Sequence, residues 1–248
     1  MVAQRFFLLH VQRTAGTTLR QYILKNFEHD EVYPAIGVDA DPSQGADALA
    51  AYFSLESLTS LPVSRRARIR VFTGHFPFMA VELLGGNLTT ITILRDPVER
   101  TLSYLRLMRT VRTHRGLPLQ EIYEDPFLFP RFIRDHQAKQ FALTPEDKPM
   151  SFRHVLEVDA TRLKKAKQNL ERVDVIGTQD RFGELWSELE QRFGWRRPPV
   201  RSQNVSWRMQ EVPASFRRRI AEDNAADMEF FEHALRLCEQ RRRVNAVR

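Results

Sequence analysis

An α/β fold, with a mainly parallel sheet flanked by helices, is predicted by three observations. Four short β-rich runs, at 6–9, 69–73, 88–94 and 173–177, are apolar in the way of parallel strands buried on both faces. Helical patterns separate these runs, and strands alternating with helices imply a parallel sheet covered on each side. The chain has 248 residues, 42% of them hydrophobic, enough for a substantial core in one domain spanning 1–248.

The first run, Phe6 to Leu9 with Val11, empties into Gln12-Arg13-Thr14-Ala15-Gly16-Thr17-Thr18. A helix follows with Leu19, Tyr22, Ile23 and Phe27 on one face. Residues 28–68 read as an irregular excursion: a loop from Asp39 to Gly45, a helix from Ala46 to Leu58, and a basic lead-in from Ser64 to Arg68. The second strand ends at Gly74-His75 and the third at Arg95. Asp96 then suits an N-cap, Pro97 the first helical position, and Glu99 the reciprocal position of a capping box. A second excursion, 109–150, is basic and interrupted by Gly116 and several prolines. Beyond it, Asp159 to Glu171 is a basic helix that leads into the fourth strand. Asp180 caps an amphipathic helix with Leu185, Trp186 and Leu189 inward, and Gly194 closes it. After a loop over 195–212, Pro213 opens one long final helix whose Arg241-Arg242-Arg243 tail reads as a solvated end.

The formal net charge of +7 favours anionic partners. Interleaved aromatics and recognised nucleic-acid motifs are lacking, so nucleic acid is not expected among them. The single cysteine, Cys238, lies on an apolar stripe and excludes an intrachain disulfide framework. No run approaches the ~18 apolar residues of a membrane span, and the N-terminus passes directly into a strand. The expectation is therefore a cytoplasmic chain without a membrane segment.

In open α/β sheets ligands bind at the carboxyl ends of strands. Three such ends carry polar residues here: Arg13 to Thr18, His75, and Arg95 with Ser103 beyond it. A strand, a small-residue turn and a helix N-terminus together point backbone N–H groups and a positive dipole end at one spot. Thr14, Thr17 and Thr18 add hydroxyls, and Arg13 adds a planar, permanently charged donor fork. The turn is not a Walker loop, which requires a Lys before its last Ser/Thr. No metal-ligand spacing is present, and His114, His136 and His154 show none. His10 is assigned to packing, and Arg106, Arg109, Arg112 and Arg115 to a solvated basic face.

HVQRTAGTTL is similar to the 5′-phosphosulfate loop of sulfotransferases that use 3′-phosphoadenosine 5′-phosphosulfate (PAPS), and LRDPVERTLSYL to their 3′-phosphate strand and helix. VFTGHFPF resembles the catalytic-base segment of the heparan sulfate 2-O-sulfotransferase-like branch. GTQDRFGELWSELEQRFGW and Asn204-Val205-Ser206 also sit where that branch has comparable stretches. The resemblance implies a P-loop-like sulfotransferase fold and a metal-free transfer of sulfate from PAPS to a hydroxyl, on a carbohydrate. It implies that Arg13, in place of the family's loop lysine, contacts the bridging and sulfuryl oxygens. Ala15, Gly16, Thr17 and Thr18 would form the phosphate cradle with Thr14. Arg95 and Ser103 would grip the 3′-phosphate, and His75 would be the general base. Gln137 and Lys139 resemble positions near the substrate cleft, and 28–68 and 109–150 would shape the acceptor site. Two other readings stay open from the residues alone: a P-loop-type kinase or NTPase, and a basic, non-catalytic anion-binding module.

Overall fold

The computed structural model describes residues 4–34, 54–85, 87–148, 154–197 and 211–246. Five strands form one all-parallel sheet: β1 (Phe6–Leu9), β2 (Val32–Tyr33), β3 (Val71–Gly74), β4 (Thr89–Leu94) and β5 (Val175–Thr178). Their order across the sheet is β2-β3-β1-β4-β5. β1 is central, Phe6 facing Val71 on one side and Thr89 on the other, Leu9 facing Gly74 and Thr92. From β1 the chain travels to β2 at one edge, and from β4 to β5 at the other. The neighbours β1 and β4 thus send their connections in opposite directions, which opens a crevice at their carboxyl ends.

The period-two alternation of side chains along a strand divides the core between the two faces. Phe6, Leu8, Val71, Ile91 and Val175 face α1 (Gly16–Leu24) and α9 (Phe182–Phe193). Phe7, Leu9, Phe72 and Ile176 face the opposite layer. That layer comprises α4 (Ala80–Leu83), α7 (His136–Ala142), α8 (Ala160–Glu171) and the long α11 (Ala225–Ala246). A third cluster joins α5 (Pro97–Met108), α6 (Leu119–Tyr123) and α10 (Ala214–Asp223) through Leu102, Leu105, Tyr123, Phe216 and Ile220. Among the described residues no helix is long and apolar enough to cross a membrane.

The elements depart from the sequence reading where side chains bond outside their own segment. Of the helix expected from Ala46 to Leu58, the described part is α2 (Leu55–Thr59), whose N-cap Ser54 accepts through Oγ from Ser57 N at 3.1 Å. Residues 46–53, the loop 39–45, most of the 195–212 loop and Asn204-Val205-Ser206 lie outside the described residues. The basic lead-in is a short helix, α3 (Val63–Arg68), anchored by Arg66 Nη2 on the Thr59 carbonyl at 2.6 Å. Asp96 does cap α5, accepting from Glu99 N at 2.9 Å. Glu99, however, pairs with Arg217 instead of closing a capping box. Asp180 falls in a 3₁₀ turn and caps nothing; α9 starts at Phe182. The final helix is two helices, broken at the buried Asn224, whose amide donates to the Ile220 carbonyl and accepts from Asp135 N. Arg241 is not a solvated end: its guanidinium donates to the carbonyls of Glu171, the last residue of α8, and Val173 just beyond it.

Candidate functional site

β1 ends at Leu9, and His10 and Val11 remain buried as the chain turns. Arg13 (φ 67°) and Ala15 (φ 73°) both take the left-handed conformation, which non-glycine residues adopt at a cost of about 1–3 kcal/mol. Two such residues, flanking the buried Thr14, curl the turn tightly onto the first turn of α1. α1 carries no side-chain cap and no acidic residue in its first turn, so its own residues leave the positive end of its dipole uncompensated. Thr14 was expected to offer its hydroxyl to a ligand; instead Oγ1 donates to the Val11 carbonyl at 3.0 Å and staples the turn. Thr17 and Thr18 are exposed on α1. Gly16 is required by close approach, since a Cβ there would lie 1.9 Å from the His10 ring.

β4 delivers Arg95 to the same place. Gln137 brackets it as a neighbouring strand would: Arg95 N donates to Gln137 Oε1 at 3.0 Å, and Gln137 Nε2 donates to the Arg95 carbonyl at 2.7 Å. Arg95 Nη1 reaches the Arg13 carbonyl at 3.3 Å, while Arg13 Nε donates to Ser103 Oγ at 3.1 Å. Arg13, from the β1 turn, therefore forms one constellation with Arg95 and Ser103, more than eighty residues on. Burial lowers the pKa of both arginines, and Arg95 lowers that of Arg13 further by like-charge repulsion. Glu99, 4.0 Å from Arg95, opposes this. Arg95 Nε is shielded from water and makes no hydrogen bond.

A further cation lies behind this pair. Arg100 is fully buried, donates through Nε to the Gln12 carbonyl at 3.2 Å, and lies over the Tyr104 ring. Burial lowers its pKa to about 10, with Asp227 opposing. Nothing in the sequence distinguishes Arg100 from a helix-surface arginine, because its partners come from the β1 turn and the second excursion.

His75 follows β3 directly, and its Nδ1 donates to the His10 carbonyl at 2.6 Å. That bond fixes the tautomer, leaving the acceptor lone pair on Nε2. Burial holds the imidazole neutral, its pKa lowered to about 4. The His10 ring packs against it, centroids 4.4 Å apart, in keeping with a packing role. His75, Arg13 and Thr17 line a single cleft of about 550 Å³ with Tyr104 and Phe132. Its walls come from the β1 turn, α5 and the 109–150 excursion.

Gln137 and Lys139 do not line the cleft; both are buried, and Lys139 Nζ donates to the carbonyls of Pro130 and Arg131 at 2.8 and 3.0 Å. Burial lowers its pKa to about 7. Sequence reasoning also missed Asp135 and Asp227. Asp227 accepts from the backbone N–H groups of Gln137 and Ala138 and thereby holds the first turn of α7. Among the described residues no group of three His, Cys, Asp or Glu side chains is placed to hold a metal ion. No protein-family model and no curated sequence matches the chain.

Proposed function

We propose that the chain is a sulfotransferase with a P-loop-like sulfotransferase fold, moving the sulfuryl group of PAPS to an acceptor hydroxyl. The observation that carries this is the meeting of Arg13, Arg95 and Ser103 at the uncapped N-terminus of α1, in a crevice whose adjoining cleft holds His75. The donor set fits a nucleotide with two separated anionic groups. Arg95 Nε is buried without a partner, and two guanidinium groups are held close despite their repulsion. A phosphate there gains charge-assisted hydrogen bonds and relieves that repulsion.

Each residue then has a defined task. Backbone N–H groups from Ala15 to Thr18 receive the 5′-phosphate, with the α1 dipole behind them. Arg95 and Ser103 receive the 3′-phosphate. Arg13 faces the bridging oxygen, where negative charge grows as the leaving phosphate departs. When bound, PAPS supplies the electrophilic sulfur. His75 Nε2 takes the acceptor's proton as the acceptor oxygen bonds to sulfur and the sulfur–phosphate bridge breaks. The proton thus ends on His75 and the electron pair of the broken bond on the phosphate.

Calorimetric titration with 3′,5′-adenosine bisphosphate, ADP and ATP with Mg²⁺ tests this reading. Preference for the bisphosphate is expected, weakened about tenfold or more in Arg95→Ala by loss of a charge-assisted contact. Equal or better binding of Mg-ATP would withdraw it in favour of a nucleoside-triphosphate site.

A further inference from the structure

We propose that the cleft beside His75 takes an apolar, ring-bearing alcohol as acceptor, not a glycan; this rests on the sulfuryl-transfer reading of the same site. α5 and the residues just after it present Tyr104, Leu107, Met108 and Val111 to the cleft. Tyr104, Leu107 and Met108 share one face of α5 by their i, i+3, i+4 spacing, and Val111, three residues past its end, adds to the same wall. Arg106 and Arg109, which fall between those positions, and Arg112, which follows them, do not line the cleft. The 109–150 excursion completes the walls with Phe127, Leu128 and Phe132.

Exposure makes the same point. Seven large hydrophobic residues are exposed among the described residues, and three of them, Leu107, Val111 and Phe127, line this one cleft at 40%, 40% and 53% exposure. Apolar residues held in water around a concave site with a few polar groups mark a ligand groove. A polyanionic sugar chain requires cations along its path, yet Arg13 is the only Lys or Arg on the cleft walls among the described residues. The polar end is matched to a hydroxyl instead. Gln12 Oε1 is shielded there without a hydrogen-bond partner, an acceptor suited to an O–H donor, and His75 lies on the same cleft. A cleft of about 550 Å³ accommodates a molecule of drug-like size.

Calorimetric titration of the protein, saturated with 3′,5′-adenosine bisphosphate, uses 2-naphthol as the aryl probe and a heparin-derived tetrasaccharide as the glycan. Phe127→Ser and Val111→Ser remove apolar surface at half-exposed positions, so the fold is retained, and unchanged bisphosphate affinity checks it. Saturable 2-naphthol binding is expected, weakened roughly tenfold in the double variant, as for loss of apolar pocket contacts. No 2-naphthol binding, or binding indifferent to both substitutions, overturns the proposal, as does a tetrasaccharide that binds more tightly than 2-naphthol. Failure of the bisphosphate to bind would instead strike the sulfuryl-transfer reading. The cleft's preference would still be decided, by 2-naphthol and tetrasaccharide titrated alone.

Discussion

Gly16 lies in the first turn of α1, where an alanine would ordinarily gain helix stability by roughly 0.5–1 kcal/mol. Here the sign reverses. Its Cβ would stand 1.9, 2.5 and 2.8 Å from three atoms of the His10 ring, which is buried and packed on His75. Gly16→Ala is expected to lower stability by about 1–3 kcal/mol, the usual range for overpacking a tight site, as read by urea unfolding. Transfer activity should fall with it, because the displaced ring presses on the base. His75→Ala should cost roughly 10²–10⁴-fold in turnover while bisphosphate affinity survives. With the His75 pKa lowered to about 4, kcat/KM should be flat through neutrality and decline only in acid, as the imidazole takes a proton and ceases to act as a base. Full turnover in the alanine variant would remove His75 from the reaction. Arg13, Arg95, Ser103 and His75 were legible because strand ends can be read from apolar runs, and strand ends converge in a parallel sheet. Arg100 was not, since its burial depends on the carbonyls of Gln12 and Phe132, which no local pattern brings near it.

α7 is a seven-residue helix whose residues are all buried, and its hydrogen bonds explain why the crevice has a defined shape. Asp227 on α11 accepts from Gln137 N at 3.1 Å and Ala138 N at 2.7 Å; Asp135 Oδ1 accepts from Asp227 N at 3.0 Å. Two segments about ninety residues apart thus cap each other, and the Gln137 side chain carries that order to Arg95. Gln137→Ala would leave the Arg95 N–H and carbonyl without these partners, at roughly 1–3 kcal/mol for each unsatisfied buried group. Loss of urea stability is expected together with weaker bisphosphate binding, since Arg95 would no longer be held at the end of β4. Unaltered affinity in a destabilised variant would limit Gln137 to the core. Long, periodic elements such as α8 and α9 were legible, apart from the Asp180 cap. β2 was not, because two residues before Pro34 carry no periodicity and gain their strand geometry from β3. The break at Asn224 was hidden for the same reason: its amide bonds Asp135, a tertiary partner that overrides helical continuity.

At the scale of the molecule, the order β2-β3-β1-β4-β5 places the opening between β1 and β4, and the chain also buries several titratable groups. Three imidazoles, His10, His75 and His136, are held below the ordinary histidine range chiefly by burial. On unfolding each returns to about 6.5, so the unfolded chain binds more protons as pH falls below that value, and stability must decline. Asp135 and Asp227 act in the opposite sense. Burial raises both, so the folded chain holds protons there that the unfolded chain releases above the usual carboxylate range. Paired carboxylates on the surface, such as Asp147 with Arg162, sit below that range and add to acid lability only at lower pH. His233, lowered by burial in the same sense, makes four imidazoles against two carboxyls, a net loss of stability on acidification from about pH 6.5 towards 4. Urea midpoints at neutral pH and at two acidic points in that window should therefore fall in order. Asp227→Asn should start less stable and also show a steeper decline, because one of the two opposing carboxyls is gone. A midpoint that holds steady or rises on acidification would mean that the raised carboxyls outweigh the lowered imidazoles across this window. The stability curve thus weighs the imidazoles beside the cleft, His75 among them, against the carboxyl pair that holds α7.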